Sequence, residues 1–470
     1  MERRERWVAL VTLALLHVFV VVTGVYVIAN DVSLDAMTGR APRPTASAEP
    51  PSVPVVTAGP VLAAGGNGPL PSKGTLAARL GKALGDPALG DRVGAAVLDA
   101  RTGAALFGSG QTVGITPAST TKVVTSVAAL ASLGADARLA TTVVQGGSKT
   151  SIVLVGGGDP TLQGPRAPKE APYPRPATIA TLASRTAKAL KAAGVTKVTL
   201  SYDTSLFTGS PLGPGWKPGY VPEGSVAPVS ALMIDEGRVS PDSRQRVADP
   251  ARTAAAAFAA QLSKAGVRVV NKTIKPARAA AGAKELARVE SAPVYALVER
   301  TLTLSDNDLA EALARHVALK EGLPGSFEGG SAGVRRVLQR LKAADGIRTY
   351  DGSGLSTRNR ITASGLAKLL AVAVSPDNPQ LHPVISGMPV AGFSGTLGHR
   401  FESKAAEPGV GLVRAKTGTL NGVNTLAGVV TTSDGRLVTF AFMADKVPPA
   451  WGKAEAALDR LATIVSGCGC

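Results

Sequence analysis

The sequence predicts an α/β chain of the α+β kind: one sheet closed by both ends of the globular part, packed by helices, with a mixed α/β insertion. Three observations predict it. Two strand-like runs follow Arg92 and three more occupy residues 412–443. Segments with apolar side chains at helical spacing lie between them. Residues 141–285 interrupt that pattern with short apolar runs, Pro and Gly.

Composition narrows the function. The 470 residues suffice for two or three domains at roughly 100–200 residues each. With 45% hydrophobic and 18% charged residues, the chain is not disordered throughout. Aromatics make up 4%, which argues against a nucleic-acid channel built on stacked rings. Two cysteines supply neither a disulfide framework nor a four-ligand zinc site. The formal charge is +17, but Lys and Arg are scattered and form no nucleic-acid arm. The charge suits anionic polymers or an anionic membrane surface.

Residues 1–30 predict a membrane anchor. Arg3, Arg4 and Arg6 precede an apolar run over residues 7–29, and Asp31 and Asp35 follow it. The run is long enough for a hydrocarbon core of about 30 Å. The flanking charges orient the N-terminus inward and the rest outside the cytoplasm. The alternative is a secreted chain cleaved after Ala29, at Val27-Ile28-Ala29. Residues 31–73, rich in Pro, Ala and Gly, predict a linker that buries no core. Residues 74–140 and 286–466 predict one discontinuous domain, and residues 141–285 an inserted one. Within them, Val93–Leu98 and Ala104–Phe107 predict a hairpin. A helix is expected from Ser119, with Val123, Val127, Leu130 and Leu133 on its buried side. One helix is expected near Arg252–Gly266 and helical periodicity over Val294–Lys320. Leu412–Leu420, Thr425–Thr432 and Leu437–Met443 predict strands, and Gly452–Ser466 a final helix. Cys468 and Cys470 read as an inert tail, the alternative being an intermolecular disulfide in an oxidising compartment.

The candidate chemistry begins with exclusions. His17, His316, His382 and His399 stand in no Gly-x-Ser-x-Gly, His-Glu-x-x-His or phosphate-loop context, so a serine–histidine triad and a zinc hydrolase are both disfavoured. Three other elements stand in order. Ser119-Thr120-Thr121-Lys122 opens a predicted helix, where residues three apart share a face and the Lys122 amine can lie beside the Ser119 hydroxyl. To accept its proton, Lys122 must be neutral, against a free pKa of about 10.4. Burial and a second nearby cation lower it. Ser305-Asp306-Asn307 precedes an apolar helical pattern and can equally be a helix cap. Lys416-Thr417-Gly418-Thr419 lies on a predicted strand, where Gly418 admits a ligand backbone and strand addition supplies main-chain hydrogen bonds.

Ser-x-x-Lys, Ser-Asp-Asn and Lys-Thr-Gly in that order are the motif set of penicillin-binding proteins and class A β-lactamases. The long gap between the first two motifs separates the chain from a compact β-lactamase. Further pieces are residues 157–162 (Gly-Gly-Asp-Pro-Thr-Leu), 351–356 (Asp-Gly-Ser-Gly-Leu-Ser) and 392–397 (Gly-Phe-Ser-Gly-Thr-Leu). With these the chain, over roughly residues 75–466, resembles the class C low-molecular-mass penicillin-binding proteins, the D-alanyl-D-alanine carboxypeptidase/endopeptidase family.

The resemblance implies a transpeptidase-like catalytic domain with a five-stranded antiparallel sheet. It implies an acyl-enzyme on Ser119, with Lys122 as proton acceptor. Ser305 relays the proton to the leaving D-alanine, and Lys416 holds that relay and the low Lys122 pKa. Asn307 bonds the substrate backbone, and Thr417 and Thr419 receive the terminal carboxylate. Gly418, Ser353 and Leu420 complete the substrate contacts. Asp159 receives the amino group of the stem peptide's third residue. The family commonly has Arg where Thr357 stands, so a neutral Thr357 suits an amidated or non-carboxylate third residue; the alternative is that Arg358, next in the chain, reaches the same spot. Expected partners are the peptidoglycan stem peptide, β-lactams as covalent inhibitors and the cytoplasmic membrane through residues 7–29; no cofactor, metal or nucleic acid is implied. The alternatives are a β-lactamase and a non-catalytic wall-binding protein that retains the fold.

Overall fold

The apolar alternation at both ends of the globular part forms paired strands, as expected. The computed structural model describes residues 2–29, 68–450 and 452–469. In chain order, helices α1 (Glu2–Ala29) and α2 (Lys73–Leu84) precede the hairpin β1 (Val93–Asp99) and β2 (Ala105–Ser109). Next come helix α3 (Thr121–Leu133), strands β3 (Ala140–Gln145) and β4 (Ser151–Val155), helix α4 (Ile179–Ala192) and strand β5 (Lys197–Asp203). Helix α5 (Pro250–Lys264) leads to the short strands β6 (Arg268–Val269) and β7 (Lys275–Pro276), then to β8 (Glu285–Glu290). Helices α6 (Val294–Thr303), α7 (Asn307–Lys320) and α8 (Phe327–Arg340) follow, then a two-stranded ribbon of β9 (Ile347–Arg348) and β10 (Arg360–Ile361). Helix α9 (Ala363–Val374), strands β11 (Val413–Leu420), β12 (Val423–Thr431) and β13 (Leu437–Asp445), and helix α10 (Lys453–Ser466) complete the chain.

The first sheet has the order β11-β12-β13-β1-β2 and is antiparallel throughout. Alternation along its strands buries both faces. Ala96, Leu98, Ala427, Ala441 and Met443 join Val123, Val127, Leu297, Leu313 and Leu366 of the helices in one core. Ala95, Val97, Leu426, Phe440 and Phe442 join Leu76, Leu80, Leu458 and Leu461 in the other. A second sheet, of order β6-β5-β4-β3-β8 with β7 beside β5, takes all its strands from residues 140–290 and packs on α4 and α5 through Leu182, Leu190, Phe258 and Leu262. The described residues from 68 onward form one compact unit, and α1 belongs to another.

Four expectations change. The periodicity over 294–320 is broken at Ser305, where φ is +58°; Asp306 then caps α7 by accepting from the Leu309 N–H. The helix expected from Ser119 begins at Thr121, after a 3₁₀ turn at Ala118–Thr120. The insertion holds a second long helix, α4, whose Ile179, Leu182, Ala183, Thr186, Ala187 and Leu190 face inward at helical spacing. Cys468 is buried and disulfide-bonded, so the tail is not inert; Cys470 lies outside the described residues, as do residues 31–67 of the predicted linker, whose last residue, Lys73, already belongs to α2. The run 7–29 is helical, although among the described residues no helix is long and apolar enough to cross a membrane.

Candidate active site

The 3₁₀ turn at Ala118–Thr120 runs directly into α3, so Ser119 and Lys122 share a face as their spacing requires. Ser119 makes no capping bond. Its Oγ lies 3.1 Å from Lys122 Nζ, which also donates to Asn307 Oδ1 at 2.6 Å and to the Ser353 carbonyl at 2.8 Å. Asn307 in turn donates from Nδ2 to the Ser225 carbonyl at 2.7 Å. A carbonyl can only accept, so that bond fixes the amide with Oδ1 toward Lys122. Nζ thus donates to three oxygens, those of Ser119, Asn307 and Ser353. When the amine loses a proton, Asn307 and the Ser353 carbonyl can hold two N–H groups and leave its lone pair for the Ser119 hydroxyl. This is the geometry of a general base.

Electrostatics tune the same atom. Lys122 is fully buried, and burial lowers its pKa to about 8; Asp351, Glu311, Asp306 and Asp308 resist the fall. Lys416 is also fully buried, and burial, then Lys122, hold it well below the usual lysine range. Its Nζ donates to the Thr417 carbonyl at 2.9 Å.

Glycine brings β11 against the nucleophile. A Cβ on Gly418 would stand 2.2 Å from Thr425 Oγ1, 2.6 Å from the Pro117 carbonyl and 3.1 Å from the Ser119 nitrogen, so only a bare backbone fits beside the turn.

Other predicted residues are placed differently. Ser305 is half-buried beside Asn307, and among the described residues its Oγ makes no hydrogen bond; no bond joins it to Ser119 or Lys416. Asn307 has both polar atoms engaged within the chain, so it orients Lys122. Thr417 Oγ1 meets Thr396 Oγ1 at 2.8 Å, whereas Thr419 Oγ1 donates to Glu455 at 3.2 Å. The expected pair of carboxylate receptors is thus divided. Ser353 is fully buried with its hydroxyl 3.4 Å from Asp351; its carbonyl serves Lys122. Asp159 is buried, accepts from Thr161, and is raised to about 6, first by burial. Leu420 ends β11 and packs beside Tyr220, Val226 and Leu355.

Two residues had no role in the sequence reading: Glu311, which stands in no motif, and Asp351, which opens the 351–356 motif. Glu311 accepts from the Gly352 N–H at 3.0 Å and the Ser353 N–H at 2.8 Å, which aims the Ser353 carbonyl at Lys122. Its signal was position: it lies one turn beyond Asn307 on α7, on the same face. Asp351 accepts from the Gly354 and Ser356 N–H groups and from Trp216 Nε1, folding residues 351–356 into a loop under Lys122. Glu236, Asp306 and Asp308 hold carboxylate oxygens within 4.8 Å of one another, a separation a cation can bridge; each already faces a guanidinium, from Arg238 and Arg300, Arg300, and Arg246 respectively.

The sequence pattern of the D-Ala-D-Ala carboxypeptidase 3 (S13) family matches residues 76–246 and 241–465. The chain is 38% identical over 442 residues to carboxypeptidase Rv3627c of Mycobacterium tuberculosis, spanning 92% of this chain and 91% of that protein. It is 37% identical over 434 residues to carboxypeptidase DacB of Mycolicibacterium smegmatis, spanning 90% and 91%. Among solved structures, penicillin-binding protein 4 of Haemophilus influenzae superposes with a TM-score of 0.68 over 82% of this chain and 97% of that one, at 23% identity. The latter shows the fold.

Proposed function

The chain belongs to the D-Ala-D-Ala carboxypeptidase 3 (S13) family and is a serine-type D-Ala-D-Ala carboxypeptidase, and we propose that Ser119 is its nucleophile. The observation that carries this is the Lys122 amine, buried, lowered in pKa, 3.1 Å from Ser119 Oγ and held by two further acceptors, so that once neutral it can turn its lone pair to that hydroxyl. Ser119 Oγ attacks the carbonyl of the terminal peptide bond and Lys122 takes its proton. The tetrahedral oxyanion is received by the backbone N–H groups of Ser119 and Thr419, donors of a kind worth about 10²–10³ in rate each. The C–N bond breaks, and the departing D-alanine takes a proton through Ser305. That step requires Ser305 to turn toward its partners. Water then releases the acyl group. Lys416 and Thr417 bind the substrate's terminal carboxylate.

β-Lactams acylate the same serine and leave slowly; the Haemophilus influenzae protein has been solved with a novel β-lactam bound. A fluorescent penicillin is expected to label the intact chain, and mass mapping should place the adduct on the peptide that carries Ser119. Label on another serine, or none, would overturn the assignment. The same substrate groove can admit cross-linked stems for endopeptidase work.

The third residue of the stem peptide reaches the C-terminal end of β11. Thr357 stands there at a cavity shared with Leu420, Arg92, Lys217 and Lys446. Asp445 offsets Arg92, which leaves two lysines. Positive charge is therefore present without an Arg at 357, and this revises the expectation of an amidated residue. Free-acid stem peptides should be hydrolysed faster than amidated ones; equal rates, or a preference for the amide, would defeat this.

The family acts on the cell wall, outside the cytoplasm. Attachment through residues 7–29 is supported by the sequence: an uncharged apolar run behind Arg3, Arg4 and Arg6.

A further inference from the structure

The loop over residues 224–246 is stitched to the α6–α7 junction by buried charge. Arg300, on α6, donates from Nε to Asp306 Oδ2 at 3.2 Å and from Nη2 to Glu236 Oε1. Arg238 donates from Nε and Nη2 to Glu236 Oε2 at 3.1 and 2.9 Å. Arg246 pairs with Asp308 at 3.1 Å and donates to the carbonyls of Glu236 and Gly224. The Ala227 N–H donates to Asp308 Oδ1, and Asn307 Nδ2 to the Ser225 carbonyl. Glu236 is 4% exposed and takes φ +56°, as Ser305 takes +58°. Neither is glycine. Left-handed residues of this kind persist only where their surroundings over-determine them.

We propose that Glu236 is a positioning residue for acylation: through Arg300 and Asp306 it holds the left-handed turn at Ser305, and through its loop it holds the Asn307 amide that orients Lys122. A buried carboxylate matched by two guanidiniums is costly to disturb, and here the disturbance is transmitted to both sides of the reacting serine. Only the charge at 236 matches Arg238 and Arg300 together, so the role belongs to that group more than to its bulk.

The groups facing Asp306 are Arg300, Glu236, Asp308 and Lys122; Asp159 faces Glu236 and Arg300 in turn. Burial, then Glu236, raise Asp306 to about 6, while Arg300 and Arg238 hold Glu236 at about 2 against its burial. Removing the charge at 236 lets Arg300 act on Asp306 alone and lowers its pKa.

The test compares the intact chain with Glu236→Gln and Glu236→Asp, following penicillin acylation and hydrolysis of a D-Ala-D-Ala peptide against pH, with circular dichroism for folding. The expected result for E236Q is a folded protein with acylation slowed about 10- to 100-fold, the loss typical of a small misplacement. Its KM should change little, and the step that protonation of Asp306 adds to the profile near pH 6, an acid limb below the rise set by Lys122, should move to lower pH. E236D keeps the charge, so its acid limb should stay where the wild type's is. Folded E236Q that acylates at the wild-type rate, or loses rate with an unmoved acid limb, overturns the proposal. If E236Q does not fold, Arg238→Gln carries the test, since that side chain is 29% exposed; a wild-type rate there overturns it equally. The inference rests on Ser119 as the acylated residue. A wild type that takes no label sinks that assignment, whereas equal labelling of wild type and E236Q sinks only this one.

Discussion

Ser119→Ala should take no penicillin label, and Lys122→Gln should be acylated about 10²–10⁴-fold more slowly, the usual contribution of a positioned base. A glutamine at 122 can still donate N–H groups toward Asn307 Oδ1 and the Ser353 carbonyl, the two acceptors that Lys122 serves. It has no basic lone pair for Ser119. Lys122→Arg is the sharper control: it keeps a cation but cannot lose a proton near neutral pH, so it should be as slow as the glutamine variant. Robust acylation of the arginine variant would remove Lys122 as the base. The pH dependence follows from the same group. Lys122 accepts a proton only when neutral, and its pKa is lowered to about 8. The wild-type acylation rate should therefore rise with pH up to about 8 and level off above it. Burial opposes the charged amine in the folded state, so stability falls as pH drops from the ordinary lysine range of about 10.4 to about 8 and the cost is complete below that; the glutamine variant should melt no lower than wild type at neutral pH.

The parts of this centre that sequence reasoning found are those written in local spacing. Ser119 and Lys122 lie one helical turn apart, and Lys416-Thr417-Gly418-Thr419 lies on one strand; both local rules hold in the folded chain. Two strands at one end and three at the other were legible because alternation survives wherever one face of a strand is buried. What escaped was long-range. Nothing near Asn307 in the chain announces that its amide is fixed by the carbonyl of Ser225, which arrives from the insertion. Glu311 stands in no motif, yet it is fully buried under the residue 351–356 loop. The divided roles of Thr417 and Thr419 depend on Thr396 and Glu455, from two other segments. The helix break at Ser305 was hidden by apolar residues that keep their spacing on both sides, Val294, Leu297 and Val298 before it and Leu309 and Leu313 after. Tertiary partners decide these features, so no window of sequence contains them.

Gly354→Ala should cost both stability and acylation, and Gly103→Ala should cost stability alone. Both glycines take positive φ, +91° at Gly354 and +69° at Gly103, so an alanine at either site carries backbone strain of about 1–3 kcal/mol. Their surroundings differ. A Cβ at Gly103 meets nothing within 4 Å, whereas at Gly354 it would stand 1.9 Å from the Ala118 carbonyl oxygen and 2.9 Å from Thr121 Oγ1. Ala118 is itself left-handed at φ +49° and sits immediately before Ser119, inside a packed interior that yields to intrusion at a further cost of about 1–3 kcal/mol. The Ala118–Thr120 turn must then move away from residues 351–354. Lys122, whose amine is bonded to the Ser353 carbonyl on that same loop, is pulled from the Ser119 hydroxyl. Thermal melting and penicillin acylation measured on both variants separate the two effects. A Gly354→Ala protein that folds and acylates as fast as Gly103→Ala would mean that the turn carrying Ser119 takes its position from β11 and Gly418 alone.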